Sequence, residues 1–266
     1  MPTLPINDTE IFYRKEGRGD ETIVFSHGLL LDHSQYDRQV DALRDDYRCI
    51  AYDHRGQGRS AVPDRPLVDM ETLYFDAVEL IERFDAAPCH FVGLSMGGFV
   101  GLRVAARRPD LVRSLTLIDT RAGAEPKKNI PKYQRLNFVA RWFGIGLVSA
   151  RVLPILFGDT FLDGSEFERA RAKWRERLEG NSKEIYKAVN GVLHRPSVES
   201  EVEGIDVPTQ VIHGEEDEAI PLSTGRALAD AIDGAGFVPI PEAGHTPTVE
   251  NPTAVNDALR SFLSDL

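Results

Sequence analysis

The chain has 266 residues, 42% of them hydrophobic and 27% charged, with a formal net charge of −11. It is long enough and apolar enough for one large α/β domain or two smaller ones, and its acidity argues against nucleic acid or an anionic membrane surface as a partner. Nowhere do 18 apolar residues run together, which excludes a membrane-spanning helix, and the two cysteines, Cys49 and Cys89, rule out a disulfide scaffold and favour a reduced cytoplasmic setting.

The opening "MPTLPINDTEIFYRK" has none of the cationic-then-apolar pattern of a targeting leader. Apolar runs of strand length follow at "TIVFSHG" (22–28) and "CIAYD" (49–53), each ending in a polar or glycine-rich turn. Between them Tyr36, Val40 and Leu43 share one helical face. Met70, Leu73, Tyr74, Ala77, Val78, Ile81 and Phe84 make a longer helical stripe. Then come a short strand at "HFV" (90–92), a helix from Phe99 to "RRPD", and a strand "SLTLID" (114–119). Strand and helix in turn predict βαβ units, hence a parallel sheet covered on both faces. From 121 to 206 the pattern is helical, with no persuasive strand and many aromatics, Trp142 and Phe143 among them. The sheet pattern resumes at "TQVIHG" (209–214) and "GFVPIP" (236–241). A last helix is predicted with Asn251 as N-cap and Pro252 in its first position. The expected division is a core of 1–120 and 207–266 with a helical cap, or lid, at 121–206.

The stretch "HFVGLSMGGFVGL" (90–102) breaks an apolar run at Ser95 and resumes with helical period. A serine hydroxyl becomes a useful nucleophile when a base takes its proton and its oxygen stands clear of the backbone. A very tight strand-to-helix turn achieves the second but crowds the residues two positions away, and Gly93 and Gly97 would relieve that crowding. Such a serine needs an acid and a histidine, in that order along the chain and each just past a strand. "VIHGEEDEAIP" offers Asp217 and "PEAGHTP" offers His245. Glu215, Glu216 and Glu218 neighbour the candidate acid, and Asp119, at the end of "SLTLID", is a rival for the same role. His27, His33 and His54 are expected near the mouth of the site. Two backbone N–H groups should face the developing oxyanion, one from Met96 after the nucleophile and one from Leu29, in the loop that Gly28 lets fold close to Ser95.

Taken together, "SHGLL", "YDHRGQGRS", "GLSMGG", "HGEED" and "GHTPTVENP" resemble the α/β-hydrolase superfamily over essentially the whole chain except the lid. The resemblance implies a mostly parallel eight-stranded sheet with helices on both faces and an inserted helical cap. It implies Ser95, Asp217 and His245 as a catalytic triad, no metal and no cofactor. Serine at 95 counts against haloalkane dehalogenases and epoxide hydrolases, which carry aspartate there. Leu29 stands where cofactor-free perhydrolases typically have tryptophan, and "GLSMGG" differs from the "GNSMGG" of carbon–carbon bond hydrolases. The stretch from Phe91 to Gly123 is most similar to small carboxylesterases and 3-oxoadipate enol-lactonases. The expected activity is therefore hydrolysis of a small-molecule carboxylic ester or lactone through an acyl-enzyme. The alternatives are perhydrolase or carbon–carbon hydrolase chemistry, or a non-catalytic receptor on the same fold. His27, Gly28, Tyr36, Trp142 and Phe143 are the expected substrate contacts. A charged lactone would also need a cation in the pocket, for which Lys127, Lys128, Lys132, Arg135, Arg141 and Arg195 are available.

Overall fold

The computed structural model describes residues 2–266. Among these residues eight strands form one sheet: β1 (Thr3–Ile6), β2 (Thr9–Glu16), β3 (Thr22–Ser26), β4 (Arg48–Tyr52), β5 (Cys89–Leu94), β6 (Val112–Ile118), β7 (Thr209–Gly214) and β8 (Gly236–Ile240). They lie in the order β1-β2-β4-β3-β5-β6-β7-β8. The β1–β2 and β2–β4 pairs are antiparallel and every later pair is parallel. Parallel strands need crossover connections, so α1 (Asp37–Leu43) follows β3, α2 (Met70–Arg83) follows β4 and α3 (Met96–Arg107) follows β5. Between β6 and β7 the chain is helical: α4 (Ile130–Phe143), α5 (Ser149–Leu156), α6 (Asp159–Asp163), α7 (Glu168–Glu179), α8 (Tyr186–Leu193) and α9 (Glu199–Val202). After β7 come α10 (Leu222–Asp230), then α11 (Pro247–Glu250) and α12 (Pro252–Ser264) beyond β8.

Alternate residues of the central strands feed two cores, as the twofold period of a strand requires. Val24, Ile50, Phe91 and Leu115 pack with Leu73, Ala77 and Leu80 of α2 and Val100 and Val104 of α3. Ile23, Phe25, Ala51, Val92 and Ile212 pack on the other side with Val40 and Leu43 of α1 and Val255 and Leu259 of α12. Every residue of β3, β5 and β7 is buried, as in the interior strands of a parallel sheet covered on both faces. Helix starts are fixed locally. The Asp69 side chain accepts the Thr72 N–H ahead of α2, and Asn251 accepts the Ala254 N–H with Pro252 in the first position of α12.

Sequence patterning gave no sign of β1 and β2. β1 is the edge strand and carries Pro5, and β2, between β1 and β4, carries Glu10, Arg14, Lys15 and Glu16, so neither shows an apolar run. The strand read at 22–28 ends at Ser26, and the one read at 114–119 begins two residues earlier, at Val112. Cys49 on β4 and Cys89 on β5 lie on opposite sides of β3 and are free. Burial pushes each thiol up to about 12. No described helix is long and apolar enough to cross a membrane.

Candidate active site

The sheet brings the carboxyl ends of its parallel strands to one edge, and the residues singled out in the sequence gather there. Ser95 stands between β5 and α3 with φ 50° and ψ −109°, a conformation that a non-glycine residue adopts only when its surroundings impose it. Three hydrogen bonds impose it here. The Ser95 N–H donates to the Ile118 carbonyl at 2.8 Å, while the Ser95 carbonyl accepts the Phe99 N–H and the Thr120 hydroxyl, each at 2.9 Å. The two flanking glycines are steric requirements. A Cβ on Gly93 would lie 2.4 Å from the Gly97 carbonyl oxygen, and one on Gly97 would lie 2.0 Å from that of Ser26.

His245 lies in the loop after β8, and its Nδ1–H donates to Asp217 Oδ2 at 2.8 Å, which leaves Nε2 as the free ring nitrogen. The other oxygen, Asp217 Oδ1, accepts the Ala219 and Ile220 N–H groups at 2.8 and 2.9 Å. Burial works to raise the Asp217 pKa. The charge of His245 and the hydrogen bonds from His213 and His245 outweigh it and hold the carboxyl below the usual carboxylate range. Among the described residues Asp119, the rival acid, makes no hydrogen bond or ion pair with His245. It accepts the Gly214 N–H at 2.9 Å, and its carboxylate lies with the His213 imidazole and the Asp217 carboxylate in one buried cluster. Burial, reinforced by the adjacent Asp217 charge, pushes Asp119 well above the ordinary value, so it is the neutral member of the pair. His213 donates from Nε2 to the Ile220 carbonyl at 2.8 Å and stands 3.4 Å from Asp217 Oδ2.

The loop after β3 has its amides assigned almost completely. The Gly28 N–H goes to Gln35 Oε1 at 3.0 Å, the Leu30 N–H to Gln57 Oε1 at 2.9 Å and the Leu31 N–H to the Gly28 carbonyl at 3.2 Å. Among the described residues no acceptor takes the Leu29 N–H. Met96 is the first residue of α3, so its N–H has no partner within the helix. Ser95, His245, Gly28 and Leu29 line one end of a mostly apolar cavity. Leu136, Ala140, Val148, Leu156 and Val189 from the segment between β6 and β7 line the rest.

Other expected contacts lie elsewhere. Trp142 and Phe143 are 57% and 66% exposed and do not line the cavity, because α4 turns Leu136, Asn137 and Ala140 inward instead. Tyr36 is fully buried and does not line the cavity, its hydroxyl donating to the Ser26 carbonyl at 3.0 Å. His27 is buried as well, bonded to the Gly28 carbonyl through Nδ1 and accepting the His54 N–H at Nε2. Of the cations on offer, the one on the cavity wall is Arg195, which is 4% exposed. Its Nη1 donates to Glu125 Oε2 at 3.2 Å and the Val192 carbonyl at 2.8 Å, while Nε and Nη2 have no partner. Burial pulls this guanidinium down to about 10, against the attraction of Glu125.

Sequence reasoning missed three residues that shape the site. Gln57 lies beside the two oxyanion candidates, its Oε1 on the amide of Leu30, the residue after Leu29, and its Nε2 3.6 Å from Met96 Sδ. Glu125 is the counter-ion of Arg195. Glu250 accepts hydrogen bonds from the backbone on both sides of His245. Gln57 and Glu250 carried a signal, lying inside "YDHRGQGRS" and "GHTPTVENP", whereas Glu125 carried none.

Comparison with known proteins gives concordant findings. The model of the Alpha/beta hydrolase family matches residues 23–258. A curated relative from Pseudomonas syringae, named "Putative carbamate hydrolase RutD", is 27% identical, covering 91% of this chain and 93% of its own. Among solved structures, a thermophilic esterase from Thermogutta terrifontis superposes with a TM-score of 0.92 at 26% identity, covering 100% of this chain and 99% of that one. An enol-lactonase from Burkholderia xenovorans LB400 superposes with a TM-score of 0.90 at 31% identity, covering 99% and 100%.

The two buried aspartates should respond differently to amide substitution. Asp119→Asn replaces a neutral group by a neutral one, and fluorophosphonate labelling of Ser95 is expected to stay within about tenfold, whereas Asp217→Asn should slow it by ~10³–10⁴-fold. The opposite ranking would transfer the acid's role to Asp119.

Proposed function

The chain belongs to the alpha/beta hydrolase family, and on that premise we propose that it cleaves a small carboxylic ester or lactone through an acyl-enzyme on Ser95. The observation that carries this reading is the 2.8 Å contact from His245 Nδ1 to Asp217, on the cavity wall that Ser95 also lines. His245 Nε2 takes the Ser95 proton as Oγ attacks the carbonyl carbon, and Asp217 holds the ring in that tautomer and stabilises the imidazolium. The Leu29 and Met96 amides, whose neighbours' hydrogen bonds are already assigned, receive the oxyanion. The tetrahedral intermediate collapses as His245 passes its proton to the leaving alcohol. Water, deprotonated by the same nitrogen, then attacks the acyl ester and releases the acid and free Ser95. No cofactor enters these steps. Residues 121–206 act as a cap over the core formed by 1–120 and 207–266, supplying the apolar wall around the acyl group. The two free, buried thiols fit a cytoplasmic setting.

Arg195 favours a second, narrower reading. Its unpartnered Nε and Nη2 form the edge of a guanidinium suited to two-point contact with a carboxylate. A substrate whose acyl part ends in a carboxylate, such as the half-ester of a dicarboxylic acid or an acidic lactone, would satisfy that edge.

Ser95→Ala is expected to lower turnover of a short-chain p-nitrophenyl ester by ~10⁴-fold or more; unchanged turnover would overturn the assignment. A panel of graded acyl esters, lactones and a carbamate ranks the substrate classes. Arg195→Met should lower kcat/KM for a dicarboxylic half-ester by ~10–100-fold, the worth of a charged hydrogen bond, and spare its neutral isostere. Equal effects on both would leave Arg195 with a packing role alone.

A further inference from the structure

In the reaction proposed above His245 must stand at a fixed place relative to Ser95, yet it sits in a loop, between β8 and α11, with no strand or helix to hold it. The side chain that grips this loop is Glu250. Its Oε2 accepts the Gly244 N–H at 2.9 Å and its Oε1 accepts the Thr246 N–H at 2.8 Å, so one carboxylate clasps the chain on both sides of His245. The same Oε2 accepts the Gly158 N–H at 2.7 Å, from the turn between α5 and α6. Two more links cross this seam. The Thr246 hydroxyl donates to the Leu156 carbonyl at 2.7 Å, and Glu216, the neighbour of Asp217, accepts the Thr160 N–H at 2.9 Å and its hydroxyl at 2.5 Å. The two backbones touch directly, since a Cβ on Gly244 would lie 2.2 Å from the Gly158 nitrogen. Residues 156–160 are therefore bonded to the His245 loop and, through Glu216, to the Asp217 loop.

Glu250 is 4% exposed, and among the described residues no lysine or arginine pairs with it. An uncompensated buried carboxylate opposes folding unless its oxygens are hydrogen-bonded. Three converging N–H donors meet that condition, and only a group that is acceptor on both atoms can serve them all. We propose that Glu250 is a positioning residue for hydrolysis: it sets where His245 stands and makes that position depend on residues 156–160 of the cap. The inference rests on His245 being the base. A shift of this cap segment would reach His245 directly through Gly158, without passing through the substrate.

The test compares wild type, Ser95→Ala, Glu250→Gln and Gly158→Ala, above pH 7, where the Glu250 carboxyl, raised to about 7 by burial, is ionised. Glu250→Gln keeps the shape but turns one oxygen into a donor facing an N–H. Gly158→Ala changes no residue that lines the site and places a Cβ 2.4 Å from Glu216 Oε2 and 2.8 Å from the Gly244 nitrogen, so it presses on both ends of the seam. Both variants are expected to lower kcat by ~10–100-fold with KM nearly unchanged, as a misplaced catalytic group does. Both should also shift or broaden the downfield proton resonance of the His245 Nδ1–H while the far-ultraviolet circular dichroism stays that of wild type. A lower Tm with kcat and resonance unchanged would overturn the proposal and leave Glu250 a structural residue. If Glu250→Gln does not fold, Gly158→Ala decides by the same two readouts. Loss of turnover in Ser95→Ala with normal kcat in the other two overturns this proposal alone; equal turnover by wild type and Ser95→Ala overturns the reading beneath it as well.

Discussion

No side chain fits between the first turn of α3 and the carboxyl ends of β3 and β5, because the Gly97 backbone rests on the Ser26 carbonyl and the Gly93 backbone rests on that of Gly97. That contact lets the chain reverse from strand to helix within one residue, and Ser95 is the residue left at the corner with positive φ. The same approach sets the start of α3 against the loop after β3, so the Met96 and Leu29 amides belong to one neighbourhood, bracketed by Gln57. The parallel order of the sheet does the rest. Loops after β6, β7 and β8 all emerge at that edge, and they carry Asp119, Asp217 and His245.

Buried charge beneath this edge is divided rather than repeated. Two carboxylic acids in contact inside a protein do not both ionise, and the partners decide which one does. Asp217 has His245, His213 and two backbone N–H groups; Asp119 has one N–H and the repulsion of Asp217. The result is one charged acid facing His245 and one neutral acid behind it. Arg195 and Glu125 form a second pair on the cavity wall, joined by a single hydrogen bond at 3.2 Å and stacked through Arg195 on the Phe99 ring at 4.0 Å. Polar groups thus interrupt the wall of an otherwise apolar cavity.

The fold was legible wherever a segment is buried on both faces. β3, β5 and β7 announce themselves as apolar runs, and α2 and α12 by their periodic stripes and capping residues. β1 and β2 were hidden because they are partly solvent-exposed and interrupted by Pro5 and charged residues, which leaves no such run. For the site, placement was legible and contact was not. Local turn chemistry put Ser95, Asp217 and His245 after their strands. Both Asp119 and Asp217 end strands that reach the same edge, and the choice between them needs the hydrogen bond to His245. Trp142 and Phe143 stood out for their size, but aromatic content does not say which face of α4 points inward. Gln57 and Glu250 lie inside recognisable motifs, but their side-chain-to-backbone bonds, to Leu30 27 positions away and to Thr246 and Gly244 4 and 6 positions away, cannot be read from the order of residues.

The most direct measurement is mass spectrometry of protein acid-quenched during turnover of a p-nitrophenyl ester. The expected result is the mass of one acyl group on the peptide containing Ser95, and no adduct in Ser95→Ala. Continuing hydrolysis with the wild-type mass unchanged, or an acyl group on another residue, would contradict the acyl-enzyme at Ser95.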